Sequence, residues 1–580
     1  MRLPSLSFLA NTAWNTIKRF PFALFAITLT TILAVILTEY HHEKEQEAII
    51  IKLLLTSFLA YPFFIGLKVS EEKYQLSKAR ALLVKFLAVG FFVVYFFFGF
   101  GESFEEPGIM FRFLAMWLFG HLYISLSAFR AYKDLQDFWS FNQKIFLFII
   151  EGAVVSAIIF GGLALALLAL QELFKVDISN YLYLDLFLII AGIFHPLYFL
   201  SKLPNPGTGL ESTYEKYTAF TNVVKYVLIP LVGLYFIILY AFSAKILFTW
   251  ELPEGWVSKM VLGFSVAGIF TYLVNYRMAE HEDSSILSGF RKWYFPVLAP
   301  MVLLIMAAIW RRISDYGFTE PRYIVFVLGI WVGLVSLYFI FSKKDDIRVI
   351  PFSLAIFALI SITGPWSAEN VSFNDQLNRL KTTLQNEGLL EGTTFKEANK
   401  VVEPEVTKEI TSMLEYLTER DTAALRSEFD LTKVKEMDIR SIMDEMGLEP
   451  NYARGFNRDI EYRHFLLRSD LPVSTEDFQY FRSFQLYNFN KDSKRIINLD
   501  EEGKTVILNI SNGAEIEIPL ENFTKGIFKN SDGDYDLSIL SFPFEKDQVK
   551  GKIVFEELSL VKEIEEFKIQ SARGTILWSD

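Results

Sequence analysis

Residues 349–367 read VIPFSLAIFALISITGPWS, and this stretch decides how the chain is divided. Val349–Thr363 contains no charged side chain, yet it is short for a hydrocarbon core that takes roughly 20 apolar residues per helix. Gly364 and Pro365 then stop a helix, and Trp366 favours headgroup depth. Upstream, apolar runs recur at regular intervals; downstream there are none of that length. The charge changes at the same point. Residues 1–365 carry 29 Lys and Arg against 26 Asp and Glu, a net of +3, whereas residues 366–580 carry 27 against 41, a net of −14. The sequence therefore reads as a membrane part followed by an acidic, water-soluble part.

Ten further apolar segments lie upstream: Phe22–Thr38, Ile49–Leu67, Leu82–Phe100, Phe111–Phe129, Ile145–Leu170, Tyr181–Leu200, Val223–Thr249, Val257–Tyr276, Trp293–Trp310 and Tyr323–Phe341. The expected fold class is an α-helical polytopic membrane bundle of about eleven helices over residues 21–365. It is followed by an α+β domain over residues 366–580. Composition agrees: 52% of the 580 residues are hydrophobic, Phe alone occurs 57 times, and mean hydropathy is +0.30. That profile excludes a disordered, fibrous or ordinary cytosolic chain. The absence of Cys removes disulfides, thiolate metal sites and Cys nucleophiles together. A net charge of −11 argues against a nucleic-acid partner, which needs a basic face.

Orientation follows from the flanking Lys and Arg. With a cytoplasmic N-terminus, the inner flanks hold 20 of the 29, and an odd span count puts residues 366–580 outside the cytoplasm. Before the first span, Leu6, Leu9, Ala10, Ala13, Trp14 and Ile17 recur at helical spacing, so residues 1–20 read as an interfacial amphipathic helix. No small-residue cleavage site follows the first apolar run, so this is not a cleavable signal.

In the acidic part, Val371–Gln385, Glu405–Leu417 and Asp438–Met446 carry helical periodicity. The helical region extends to about residue 450, and from about residue 480 the period changes to that of strands. Thr505–Ile510, Ala514–Leu520, Leu537–Phe542, Lys552–Phe555 and Glu566–Ile569 are expected as strands of a C-terminal antiparallel sheet, with Asn512-Gly513 as a hairpin turn.

Several motifs carry a resemblance: Phe20-Pro21 after an amphipathic N-terminus, Trp256-Val257-Ser258, the run from Arg312 to Glu320 (RISDYGFTE), and Gly364-Pro365-Trp366-Ser367. In these the chain resembles the bacterial domain-of-unknown-function 4153 family of multi-pass membrane proteins, most clearly in the membrane part. Pro321 departs from the family's pattern, which has Asn there. The resemblance implies a bacterial inner-membrane protein of a Gram-negative cell and carries no activity with it.

Two groups of residues stand out as candidate sites. Arg311, Arg312, Asp315, Tyr316, Glu320 and Arg322 crowd the outer loop between the ninth and tenth spans, where Arg should be sparse. They are expected to dock the acidic domain or pair internally, with an anionic lipid as the alternative occupant. Within the spans, His121, Glu151 and His195 are the candidate polar site, since ionisable groups in lipid are costly. Asp185 and Lys245 are expected to snorkel. His41-His42-Glu43 is a weak metal pattern, and Asn530-Ser-Asp-Gly-Asp-Tyr-Asp536 a weak calcium pattern outweighed by a polar hairpin loop. No cofactor and no metal are expected, and no GxSxG, HExxH or Walker pattern occurs. The leading expectation is a non-enzymatic envelope scaffold or assembly factor that binds a partner protein through residues 366–580. A transporter or channel for a small solute or ion comes second, and an envelope transferase using a lipid-linked substrate third.

Overall fold

Lipid offers no partner to a free N–H or C=O, so apolar runs of this length coil into helices that satisfy themselves. The computed structural model describes residues 5–39, 44–100, 107–127, 129, 135–176, 178–206, 217–249, 256–398, 401–431, 434, 438–450, 460–467, 478–487, 497–500, 504–509, 515–528, 533–535, 540–546, 549–563 and 566–579. His41, His42, Asn512-Gly513 and Asn530–Asp532 lie outside these residues.

The first helix, α1 (Leu6–Arg19), is capped by the Ser5 hydroxyl, which accepts from the Phe8 N–H. Next come α2 (Pro21–Glu39), α3 (Lys44–Tyr74), α4 (Lys78–Phe98), α5 (Pro107–Leu126) and α6 (Leu135–Phe174). The chain continues through α7 (Asn180–Ile189), α8 (His195–Lys202), α9 (Thr218–Val223), α10 (Ile229–Thr249), α11 (Trp256–His281), α12 (Ser285–Tyr316), α13 (Glu320–Phe341) and α14 (Val349–Ile360). Among the described residues, nine helical stretches are long and apolar enough to cross a membrane, with α7–α8 and α9–α10 each counted as one. The eleven expected segments thus include two outside that set. They are α11, with 26 residues, and α14, whose 12 residues at 1.5 Å each give about 18 Å.

Two joints have a shared cause. Ile190–Phe194 and Val224–Leu228 are π-helical, and each is followed two residues later by a proline, Pro196 and Pro230. Proline brings no N–H and its ring crowds the carbonyl four residues back, so the turn before it widens. At the first joint Gly192 lets α2 approach: a Cβ there would lie 2.0 Å from the Thr31 hydroxyl.

Contacts pair the helix ends into two levels. At one level Arg19 grips Glu72 with bonds of 2.8 and 2.7 Å and donates to the Leu203 carbonyl at 2.6 Å. There too Arg291 bonds Asp345 at 2.5 Å and Glu280 at 2.8 Å, tying α11, α12 and the α13–α14 loop. At the opposite level Tyr323, in the first turn of α13, donates to the Trp366 carbonyl at 2.5 Å. Arg112 of α5 pairs there with Glu369 at 3.1 Å.

Past the Gly364-Pro365 break the Ser367 hydroxyl caps α15 (Ala368–Asn386) by accepting from the Asn370 N–H. A two-residue ladder of β1 (Leu390–Glu391) and β2 (Thr394–Phe395) leads into α16 (Pro404–Thr418), α17 (Thr422–Glu428) and α18 (Ile439–Asp444). Leu380, Leu384, Ile410, Leu414, Leu417 and Met443 form their core. These helices cluster with the membrane helices in one compact unit, Met1–Tyr452, so the compact boundary falls well after the expected break at residue 365. The reason is that α15 packs on α13 and its polar face bonds the α12–α13 turn.

Residues 453–580 form the second unit. Its strands are β3 (Ile460–Leu467), β4 (Tyr480–Tyr487), β5 (Ile497–Leu499), β6 (Thr505–Asn509), β7 (Glu515–Pro519), β8 (Gly533–Tyr535), β9 (Ser541–Lys546), β10 (Val549–Glu563) and β11 (Glu566–Ser579), with α19 (Glu521–Ile527) after β7. One sheet runs β4-β11-β10-β3-β8 with β9 also on β10, and a second runs β5-β6-β7. Every pairing is antiparallel save β3 with β8, where Phe465 sits opposite Gly533. The described part of the weak calcium pattern is thus a strand.

Gly192→Val should overpack the α2 joint and lower stability by about 1–3 kcal/mol, read as a fall in the melting temperature of the detergent-solubilised protein. Adding Thr31→Ala should restore part of the loss.

Candidate functional site

The α12–α13 turn is built for capture. Helix α12 ends where Gly317 adopts φ +72°, a conformation that costs a β-carbon, and a Cβ there would lie 2.6 Å from atoms of Asp375, Gln376 and Arg379. Those three side chains seize the turn's backbone. Asp375 accepts from the Phe318 N–H at 2.7 Å; Gln376 donates to the carbonyls of Tyr316 and Phe318 at 3.0 and 2.8 Å. Arg379 donates to the carbonyls of Ser314 and Asp315 at 3.2 and 2.8 Å. The last carbonyls of a helix have no partners of their own, so these bonds satisfy groups that would otherwise be left bare.

Beside the turn, Glu320 opens α13 and is 5% exposed. Arg420 holds its carboxylate through two bonds, 2.8 and 3.0 Å, and Tyr416 donates to it at 2.9 Å. The guanidinium also stacks on the Tyr416 ring, 3.5 Å from the centroid, and donates to the Tyr416 carbonyl. Burial first, and the Glu320 charge next, push the Tyr416 phenol well above its ordinary value. The hydroxyl therefore stays a donor through the neutral range. A bidentate, buried pair of this kind is strongly directional.

The sequence-derived residues divide accordingly. Glu320 is engaged by the helices that follow the bundle. Arg322 donates to the Tyr316 and Gly317 carbonyls, both at 2.9 Å, and its guanidinium lies over the Tyr316 ring. Arg311 and Asp315 form an exposed pair at 3.8 Å, one helical turn apart. Arg312 is half-buried on the same turn. Pro321, the departure from the family's Asn, occupies the first turn of α13, where proline removes no helical bond. The partners Asp375, Gln376, Arg379, Tyr416 and Arg420 were not singled out from sequence. Their signal is spacing: 375, 376 and 379 share one face of α15, and Tyr416 and Arg420 stand four apart.

Of the intramembrane candidates, Glu151 and His195 both lie where α6 packs on α8, each with its own partners. The Glu151 carboxylate takes a bond from the Tyr198 hydroxyl at 3.0 Å and is paired with Lys202, while His195 Nε2 lies 3.3 Å from the Ile149 carbonyl. His195, Tyr198 and Lys202 lie along one face of α8, packed on α6. His121 turns onto its own helix instead: Nδ1 lies 2.9 Å from the Trp117 carbonyl, and the two rings pack with centroids 4.3 Å apart. Asp185 corrects its expectation, because it is buried and accepts from the Thr38 hydroxyl at 2.8 Å instead of snorkelling. Among the described residues no group of His, Asp and Glu is arranged to hold a metal ion.

Fold and site together define a polytopic α-helical membrane protein whose bundle is bonded at one end to a cap of soluble-type helices. Residues 5–390 match the family described as "Domain of unknown function (DUF4153)", and the chain belongs to that family. It is also similar to an uncharacterized protein, PM1469, of Pasteurella multocida (strain Pm70), with 26% identity over 205 residues. That alignment covers 35% of this chain and 34% of the relative, about a third of each. No solved structure matches.

Removing one partner of a buried ion pair strands the other, so Glu320→Ala and Arg420→Ala should each cost about 3–5 kcal/mol. The readout is thermal unfolding together with the rate of proteolysis within residues 368–450. In a double-mutant cycle the second substitution should add far less than the first.

Proposed function

We propose that this protein is a bacterial inner-membrane anchor, non-enzymatic, that holds residues 366–580 outside the cytoplasm to bind an envelope partner protein. The carrying observation is the buried Glu320–Arg420–Tyr416 cluster with the Asp375–Gln376–Arg379 grip on the neighbouring turn. These contacts spend polar groups on fixing a cap to a bundle, which is what an anchor requires. In this reading eleven segments cross, α11 and α14 included. The support is that Arg291–Asp345 and Tyr323–Trp366 bracket α13 and α14 between the same two levels, so the chain from Arg348 to Trp366 covers the depth of α13. The 20-to-9 division of Lys and Arg supports a cytoplasmic N-terminus and a periplasmic acidic region. The α1 helix, with Phe8, Leu9, Trp14 and Ile17 exposed, then lies in the cytoplasmic headgroup layer.

The transport reading would draw support from a cavity around His121, Glu151 and His195. Three grooves of the bundle, among the described residues, are lined by other side chains.

Cross-linking in native membranes, followed by mild-detergent purification and mass spectrometry, tests the anchor. One stoichiometric protein cross-linked to lysines within residues 366–580 is expected. A preparation holding only a lipid or small solute, with no protein cross-linked there, overturns the reading. An alkaline phosphatase fused after Asp580 should be active; an inactive fusion beside an active cytoplasmic reporter reverses the orientation.

A further inference from the structure

Helix α4 stands apart from the bundle, packed chiefly on α3, and between it and α5 and α14 runs a groove of about 690 Å³. That volume falls within the range of about 300–1,000 Å³ typical of ligand sites. The walls are apolar, with Leu87, Phe91, Phe119 and Leu359 among them. One end is different in kind. Arg112 lies in the second turn of α5, inside a membrane-spanning stretch, and points to that end together with Tyr95 and Thr363. Its partner Glu369 stands beside it at 3.1 Å. The Tyr95 hydroxyl is buried and, among the described residues, has no hydrogen-bond partner.

We propose that this groove is a phospholipid site, with an acyl chain along the α4–α5–α14 walls and the headgroup at Arg112, Tyr95 and Glu369. A groove open to a bilayer is filled by what surrounds it, and the surrounding solvent is acyl chain. The Tyr95 hydroxyl at its end asks for an acceptor, because in hydrocarbon an unsatisfied donor is costly. A phosphodiester supplies one: guanidinium carries five N–H donors in a fixed fork, enough to bond a carboxylate and a phosphate together. The mouth holds both signs of charge, Arg112 and Glu369, so the headgroup it fits is zwitterionic. In phosphatidylethanolamine the phosphate meets Arg112 and Tyr95, and the ammonium meets Glu369. This site stands independently of the anchor reading.

The test is native mass spectrometry of the full-length protein in mild detergent, titrated separately with phosphatidylethanolamine and phosphatidylglycerol. One phosphatidylethanolamine per chain should persist at collision energies that strip the remainder, and phosphatidylglycerol should be retained less. Arg112→Gln should weaken retention about tenfold, as loss of a charge-assisted hydrogen bond does. Ala88→Trp, which fills the groove, should abolish it. Tyr95→Phe removes a single oxygen and leaves the walls intact, so it carries the test should the Trp variant fail to fold; it should also lower retention. Unchanged retention in both Arg112→Gln and Tyr95→Phe overturns the site, as does a wild-type protein that keeps no lipid. Equal retention of the two lipids overturns the zwitterionic headgroup.

Discussion

Glu320 begins a membrane helix with a carboxylate that water does not reach, and a guanidinium 100 residues later in the chain neutralises it. Burying either charge alone costs several kcal/mol, so the two are acceptable only together. Such a bond fixes more than a distance. Its two-point geometry sets the rotation of α16 about its own axis, and Tyr416 and the hydrophobic face behind it follow. With α16 set, the Leu380–Leu414 core orients α15, and α15 brings Asp375, Gln376 and Arg379 onto the α12–α13 turn. The cap's position is thus specified by polar chemistry at its base and filled in by apolar packing above it.

The bundle obeys a different economy. Inside lipid the helices gain nothing from hiding apolar surface, so association rests on close packing and on a few polar contacts. Aromatic rings do much of the packing: Phe295 stacks on Phe339 at 4.6 Å, and Tyr235 on Phe264 at 4.0 Å. Serine and threonine hydroxyls join neighbours, as Thr30 does with Ser57 at 2.7 Å. The charged clusters sit at the two levels where helices end, where water and headgroups share the cost of the charge.

How much of this was readable in the residues depended on whether the signal was local. Long apolar runs announce themselves, and periodicity places three of the four helices between Ser367 and residue 450 to within a few residues, whereas the seven-residue α17 is too short to show one. The charged turn at 311–322 is visible from its Arg-rich composition, but its partners are not, since the spacing of residues 375, 376 and 379, or of 416 and 420, shows a shared helix face without naming what that face bonds. Strands β10 and β11 were read as far shorter than they are. The bulges at Phe555/Glu557 and Ser559/Leu560 shift the inward face, so strict alternation fails midway and the run looks broken. The parallel β3–β8 pair was hidden for the same reason as the ion pair: nothing local encodes a partner 68 residues away. Glu151 and His195 were legible as unusual, whereas the turn of α8 that brings Tyr198 and Lys202 to Glu151 required the π-helical joint to be known.

The separation between Glu320 and Arg420 also sets a clock on biosynthesis. A ribosome adding about 5–20 residues per second needs roughly 5–20 seconds to travel from one to the other. Throughout that interval the Glu320 carboxylate has no Arg420 to pair with, although α14 is made within its first half. Glu320 must therefore wait in water, which keeps the start of α13 from sinking while the residues that follow it are made. The same acid that later locks the cap thus acts first as a float, holding the register of a helix until its counter-charge arrives.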